Sequence, residues 1–577
     1  MSVPVIIRRA RWVIGAAVAV GLFCSYLLMS RAAGVNADGA SNALQGWDML
    51  HGDVLLRGWT VTDVSFYTHE LLLFVLVEAV YGLHGDTTHA VAALVFTVLV
   101  LVVAVAARGR ATGREAATRV ALAVSVVAVP ALGHATTTQL TSPDHTGTAI
   151  PLLLTWLVLE RWWDRRWVPY AVAAMLAWGQ IADPLVMYIG VLPLILVSLY
   201  RLLSPTLLRS RTPRFPMPRL PMPRLPMIKA SFTSLELPEG RLDHEAVRGW
   251  RREAGLILAG VGSVVLAQLA LLGIRVAGGF GAHAAEAKLS PLSELGGNLW
   301  LAVRVIAVNY GAYFPDRSAA GYPIAILHLV GLLAATAATL VAAGRLLRRR
   351  GDRLCDLVTV GILVNVGAFV VSALPTDLLS ARQVVATLPL GAVLVGRIWG
   401  PPLAGLLRRG RPAGRRVLVA LVAVGALLAG ELVVHASDRG APGHAEDVAA
   451  WLDDRGLAYG LGEYWNANNV TVLTSRRVRV APVVAGDRIA GYQWESDEEW
   501  YDPTRHDARF LVLDTRAPSN SEATARAQFG APVERHAFDG AVVLVYDHNL
   551  LVDLPAYCIP DTAPAMSACP HHGLVLF

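Results

Sequence analysis

The sequence predicts a polytopic α-helical membrane protein of about eleven transmembrane helices, followed by a small extracytoplasmic α/β domain. Three observations carry that expectation. Apolar runs recur through the first three quarters of the 577 residues, and many reach the roughly 20 residues that cross hydrocarbon. Only 16% of the residues are charged, against about 25% in a typical soluble domain. The basic residues are also sorted by loop. Of 50 Lys and Arg, segments placed inside hold 32, outside loops hold 7 and the tail holds 11. A net charge of +6 alone would suit a nucleic-acid binder, but this distribution is the positive-inside pattern, and no nucleic-acid partner is expected.

Arg8, Arg9 and Arg11 precede the first apolar run, about 12–31. No convincing small-residue cleavage site follows, so this reads as an uncleaved first span. A large polar loop, 32–87, comes next. Within it Ala43, Leu44, Trp47 and Leu50 share one helical face, predicting a surface helix over 40–50. The stretch 71–80 is too short to span and reads as a second surface helix. The next span is 88–107, with Arg108, Arg110, Arg114 and Arg119 marking the inside. A span over 120–135 delivers the polar stretch His134–Thr148 to the outer side. The short span 148–160 ends in Arg161–Trp167, an aromatic and basic interface anchor.

Two spans fill 168–203, broken at Asp183-Pro184 because proline removes a backbone donor. An inside loop, 204–252, contains a pentapeptide repeat over Pro213–Met227. It reads as an extended, solvated linker whose arginines could also touch anionic headgroups. Further spans are expected at 254–275, 322–343, 357–374, 384–400 and 417–434. The outer loop 276–320 carries an amphipathic patch and Asn309–Asp316. Eleven spans from an inside N-terminus put the tail outside, so the chain divides into a membrane domain, 1–434, and a soluble domain, 435–577. In the tail, 470–484 and 508–515 read as strands, and 444–455 and 519–529 as helices. Asp497–Asp502 reads as a solvated acidic turn or a cation site. The four cysteines have no metal-ligand spacing; Cys558 and Cys569 could pair in an oxidising compartment or remain thiols.

Several polar residues fall at the outer membrane level. Asp38 lies just past the first span. There a carboxylate could take the proton of an attacking hydroxyl, or it could cap the surface helix. Arg382 sits in an outer turn, against the positive-inside bias. Its planar charge suits a phosphate, and an arginine here could equally snorkel to the interface. His69, Glu70, Asp144, His145 and Asp183 are ionisable groups at membrane depth that are functional where they face a cavity. Tyr313 could stack on a sugar ring or pack in the core. Adjacent Asp144 and His145 do not match the spacing of known metal sites; a divalent cation is possible and not predicted, and no other cofactor is indicated.

The order of these features resembles a known class. An Asp follows the first span, then a surface helix ends in Asp48-Met49-Leu50-His51-Gly52-Asp53. Tyr67-Thr68-His69-Glu70 leads into the second surface helix, which ends in Tyr81-Gly82 before the second span. Much later, Ser380-Ala381-Arg382-Gln383-Val384 leads to Leu388-Pro389. This resembles the GT-C class of membrane glycosyltransferases, in particular relatives of protein O-mannosyltransferases and aminoarabinose transferases, over about 1–434. Gly39 stands where the class carries an acidic partner to Asp38. Thr68-His69-Glu70 lacks its Lys-Pro-Pro, and Gln383 replaces its aromatic residue. The resemblance implies a GT-C-like enzyme with Asp38 as base and Arg382 at the donor phosphate. It would invert the anomeric carbon, moving sugar from a polyprenyl-phosphate sugar donor to a cell-envelope glycan, lipid or protein acceptor. The active site would face outward from the lipid bilayer of the cytoplasmic membrane. A transporter or flippase of lipid-linked glycans would need polar groups at mid-membrane and repeated halves. A non-catalytic envelope scaffold would need neither Asp38 nor Arg382.

Overall fold

The structure, a computed structural model, describes residues 3–130, 133–141, 145–203, 244–282, 288–316, 321–408, 412–438, 440, 444–484, 488–492, 494–516 and 521–555. Asp144, Cys558, Cys569 and the repeat over Pro213–Met227 lie outside the described residues. The expected fold class is found: a helical membrane region carrying a small mixed α/β domain.

The chain opens with α1 (Val3–Arg31), the surface helix α2 (Ala37–Leu50), strand β1 (Trp59–Val61) and a second surface helix, α3 (Glu70–Tyr81). Both surface helices fall where the apolar spacing put them. They pack closely because Gly46 carries no side chain; a Cβ there would lie 2.6 Å from that of Phe74. Then come α4 (Gly85–Arg108), α5 (Gly113–Val127), α6 (Ala149–Arg161), α7 (Val168–Ala182) and α8 (Leu192–Leu202). The expected helix over 120–135 starts earlier and stops at Val127, ahead of Pro130, whose ring and missing N–H disfavour continuing the helix. The long α9 (His244–Val276) is followed by β2 (Gly281–Ala282), α10 (Leu295–Asn309), α11 (Tyr322–Leu347), α12 (Arg353–Val371), α13 (Thr387–Arg408) and α14 (Pro412–Ser437). α10 occupies the expected amphipathic patch. α13 begins later than expected, because 378–384 forms a 3-10 segment, and it runs on through Pro401 and Pro402.

Seven of the described helices are long and apolar enough to cross a membrane: α1, α4, α9, α11, α12, α13 and α14. The protein is therefore a multi-pass membrane protein. Of the other expected spans, α5, α6 and α7 have 13 to 15 residues. At 1.5 Å per residue they reach about 20–23 Å, short of the roughly 30 Å of hydrocarbon. Along α9, Leu258, Val261, Val265, Leu269, Leu272 and Val276 form an exposed apolar stripe at three- and four-residue spacing, the face a lipid-exposed helix needs. At the helix ends expected inside, Arg397 donates to both oxygens of Glu160 at 2.9 and 2.7 Å. Arg353 pairs with Glu253 and lies 3.6 Å from the Trp163 ring centroid.

The C-terminal domain contains α15 (His444–Asp454), β3 (Tyr459–Glu463), α16 (Asn468–Leu473), β4 (Arg479–Val484), β5 (Ala490–Gly491), β6 (Ser496–Asp497), β7 (Phe510–Asp514), α17 (Glu522–Phe529), β8 (Glu534–Phe538) and β9 (Ala541–Val545). Its main sheet has the order β5-β4-β3-β7-β9-β8, with β4, β3 and β7 parallel. The expected strand over 470–484 forms only in its second half. The first half is α16, whose Val470 and Val472 are buried; burial against the neighbouring elements overrides β-propensity. Strand β6 leaves the main sheet and pairs antiparallel with β1, which pairs parallel with β2. This second sheet stitches the first loop and the segment after α9 to the C-terminal domain. Asp497 therefore belongs to an interdomain strand rather than to a solvated turn, and burial pushes its carboxyl up to about 7.

Candidate active site

The first turn of α2 sets the position of Asp38. The cap is Asn36, whose side chain accepts from the Gly39 N–H at 2.8 Å. Asp38 is thus not the cap that its position in the sequence allowed. Its carboxylate instead accepts a hydrogen bond from the Tyr464 hydroxyl, which comes from the far side of the chain, after β3. Burial, then the nearby Asp38 charge, hold the Tyr464 phenol well above its ordinary value. The phenol stays protonated and remains a donor. The absence of an acidic neighbour at position 39 has a steric cause. A Cβ at Gly39 would lie 2.9 Å from both Asn36 Oδ1 and the backbone oxygen of Thr141.

Asp38 and Arg382 line one cavity of about 840 Å³, together with Asp63, His145 and Asp183. That volume lies within the usual range for small-molecule sites, about 300–1,000 Å³. Its membrane-side wall includes Leu185, Met187, Leu271, Ala368 and Phe369. Arg382 sits on the 3-10 segment Leu378–Val384, which Asp377 caps by accepting from Leu379 N at 2.8 Å. The arginine is exposed, and its guanidinium makes no hydrogen bond or ion pair with a described side chain. Asp63 is desolvated; burial raises its carboxyl, against the opposing charges of His145 and Arg382.

The helix break at Asp183-Pro184 has a specific use. Asp183 accepts from the Thr148 hydroxyl and from Leu185 N at 2.8 Å, and its Oδ2 meets His145 Nδ1 at 2.7 Å. His145, in a left-handed conformation with φ of 54°, is thereby oriented by Asp183.

His69, Glu70 and Tyr313 do not line this cavity. Glu70 is buried, its carboxyl filling the space that a side chain at Gly147 would take. Burial pushes Glu70 up to about 8 and the His69 imidazole down to about 4. Burial disfavours the charged form of both, which argues against an ion pair at their 3.8 Å approach. Tyr313 accepts from Arg304 at 3.0 Å and packs against the cluster around Val305 and Phe369. Among the described residues, no cluster of three His, Cys, Asp or Glu could hold a metal ion.

The C-terminal domain supplies nearly a third of the lining, a contribution the sequence analysis did not assign to it. Glu463, Tyr464, Trp465, Trp494, Glu495 and Asp514 all line the cavity. Tyr464 stands edge-on to Trp465 at 5.1 Å, and Tyr492 lies near-parallel to Trp494 at 6.3 Å. The sequence held a signal for this wall. Glu463-Tyr464-Trp465 and Tyr492-Gln493-Trp494-Glu495 each set aromatic rings beside a carboxylate.

No family model matches the sequence, and no curated protein matches it. Among solved structures, ArnT from Cupriavidus metallidurans in the apo state is 14% identical over 93% of this chain and 98% of that one, with a TM-score of 0.51. The same protein bound to undecaprenyl phosphate is 13% identical over 92% and 97%, with a TM-score of 0.50. The oligosaccharyltransferase of Archaeoglobus fulgidus, in complex with Zn and sulfate, is 12% identical over 85% and 67%, with a TM-score of 0.43. This chain shares the fold of ArnT from Cupriavidus metallidurans.

Proposed function

We propose that this protein is a membrane glycosyltransferase that moves a sugar from a polyprenyl-phosphate donor to a cell-envelope acceptor on the outer face of the cytoplasmic membrane. The carrying observation is that Asp38 and Arg382, far apart in sequence, line one cavity walled partly by membrane helices. Arg382 pairs with the donor phosphate. Asp38 takes the proton of the acceptor hydroxyl as its oxygen attacks the anomeric carbon. The bond from that carbon to the phosphate oxygen breaks, and polyprenyl phosphate leaves with the electron pair, inverting the centre. No cofactor is assigned. The membrane domain, 1–434, holds the donor; the N-terminus lies inside and the C-terminal domain, 435–577, outside. ArnT, whose fold this chain shares, binds undecaprenyl phosphate, which supports a lipid phosphate as the donor's carrier.

The test uses the full chain in nanodiscs and undecaprenyl phosphate as ligand. A hydrogen bond to a charged group contributes about 1.5–3 kcal/mol, so Arg382→Ala should weaken lipid binding by up to that amount. Arg382→Lys should restore part of it, because the charge returns without the planar fork. Wild-type affinity in Arg382→Ala would remove the phosphate from this position.

A further inference from the structure

The wall that the C-terminal domain contributes is built differently from the rest of the cavity. Its three parallel strands end there: Glu463 is the last residue of β3, Val484 of β4 and Asp514 of β7, and all three line the cavity. The carboxyl ends of parallel strands form the usual binding crevice of open α/β sheets. Trp465, two residues past the end of β3, keeps 52% of its surface exposed although it sits on a concave wall. Trp494 and Tyr492 hold a second, near-parallel pair of rings on the same wall. Aromatic faces of this kind offer apolar area with polar edges, which suits the C–H faces and hydroxyl edges of sugar rings.

Charge narrows the choice of ligand. Glu463, Glu495 and Asp514 stand on this wall, while Arg382 lies across the cavity on the membrane side. Carboxylates accept hydrogen bonds from hydroxyls and repel the like charges of phosphates and uronates.

We infer that the β3–β4–β7 strand ends, with Trp465, Tyr492 and Trp494, form an acceptor subsite that takes a neutral, hydroxyl-rich glycan and excludes anionic acceptors. This rests on the glycosyltransferase reading of the cavity and names its acceptor class. A chain laid across this wall reaches Asp38 through Tyr464, which belongs to both the wall and the base.

The experiment measures binding of neutral mannan, galactan and glucan hexasaccharides to the full chain in nanodiscs by saturation-transfer NMR, without donor. Hexagalacturonate serves as the anionic counterpart of the galactan. At least one neutral hexamer should bind, and hexagalacturonate should not. The double variant Trp465→Ala/Trp494→Ala should weaken that binding about tenfold or more, the equivalent of roughly one stacked ring lost. Glu495→Gln/Asp514→Asn should admit hexagalacturonate. The inference is overturned if no neutral hexamer binds, if hexagalacturonate binds wild type as tightly as the best neutral hexamer does, or if folded tryptophan variants bind unchanged. The comparison of galactan with galacturonan uses wild type alone, so it stands even where a variant fails to fold. Undecaprenyl phosphate binding is measured alongside. If the lipid binds through Arg382 while the glycans fail, only the acceptor subsite falls; if the lipid fails to bind, the glycosyltransferase reading falls with it.

Discussion

The Tyr464 hydroxyl donates to the carboxylate of Asp38. This one hydrogen bond links the C-terminal domain to the first outer loop at the group read as the base. It is reinforced nearby. Asp48, at the far end of α2, accepts from Trp59 Nε1 at 3.1 Å and from Arg476 at 2.9 Å. Strands β1 and β6 pair alongside. The soluble domain is therefore built into the site instead of hanging from the last span.

Tyr464→Phe keeps the ring against Trp465 and Tyr492 and deletes only the donor. A hydrogen bond to a charged group contributes about 1.5–3 kcal/mol, so kcat should fall roughly 10- to 150-fold while undecaprenyl phosphate binding stays unchanged. The split separates positioning of the base from loss of the donor site. A variant with wild-type kcat would show that Asp38 is oriented by something else.

Gly39→Ala should destabilise the protein. Alanine gains about 1 kcal/mol of helix propensity over glycine, but its Cβ would press on the Thr141 backbone oxygen at 2.9 Å, and overpacking costs about 1–3 kcal/mol. The clash should win, lowering the melting temperature in detergent. Gly39→Glu, which restores the class's acidic pair, should be worse still and should not raise activity. A stabilised Gly39→Ala would mean the loop can yield at no cost.

The membrane domain was largely legible because its signals are long and periodic. α2 and α3 formed where Ala43, Leu44, Trp47 and the run from Leu71 set the spacing. Asp38 and Arg382 were singled out from their place in that frame and from resemblance, and both line the cavity; their roles belong to the proposal. What stayed hidden depends on long-range contact. Nothing local pairs Asp38 with Tyr464, or His145 with Asp183 in preference to its neighbour Asp144. The burial of Glu70 against Gly147 is a matter of packing between distant segments, so a group that read as a sugar contact is instead sealed behind the cavity. The switch from strand to helix at α16 has the same origin, since Val470 and Val472 follow burial over propensity.

Glu70 should leave a pH signature. Its folded carboxyl lies at about 8, above its unfolded value, so the folded state holds a proton that the unfolded chain has lost. Stability from this group is full below about pH 4.5 and is lost as pH rises through 8. His69, held down near 4, acts in the opposite sense, but only below about pH 6.5. Between pH 6.5 and 8, then, wild type should lose stability with rising pH, with a contribution from Glu70 of up to about 1.4 kcal/mol per unit. Glu70→Gln should show a shallower slope in thermal melts across that window. Identical slopes would mean that the carboxyl is not buried as described.

Topology is checked with reporters. Arg397, Glu160, Arg353 and Glu253 pair at the ends expected inside, and the asymmetry of 32 basic residues against 7 points the same way. Alkaline phosphatase fused after Phe577 should be active, and the same reporter near Met227 should be silent. The reverse pattern would put Asp38 on the wrong face for a lipid-linked donor.

The proposed base, Asp38, gives the sharpest expectation. Asp38 projects from the first turn of α2, which Asn36 caps independently, so replacing Asp38 leaves the helix start intact. Asn keeps the shape and can still accept from Tyr464, but it cannot take a proton. General base catalysis contributes about 10²–10⁴-fold. Asp38→Asn should therefore insert, fold and bind undecaprenyl phosphate as wild type does, yet lose that much turnover with a polyprenyl-phosphate sugar. Asp38→Glu should retain only a little, because its carboxylate is displaced by a methylene from the Tyr464 hydroxyl. Asp63 and Glu495 also line the cavity. If Asp38→Asn turns over normally, the proton goes to one of them, and Asp63→Asn and Glu495→Gln would then show the loss that Asp38→Asn did not.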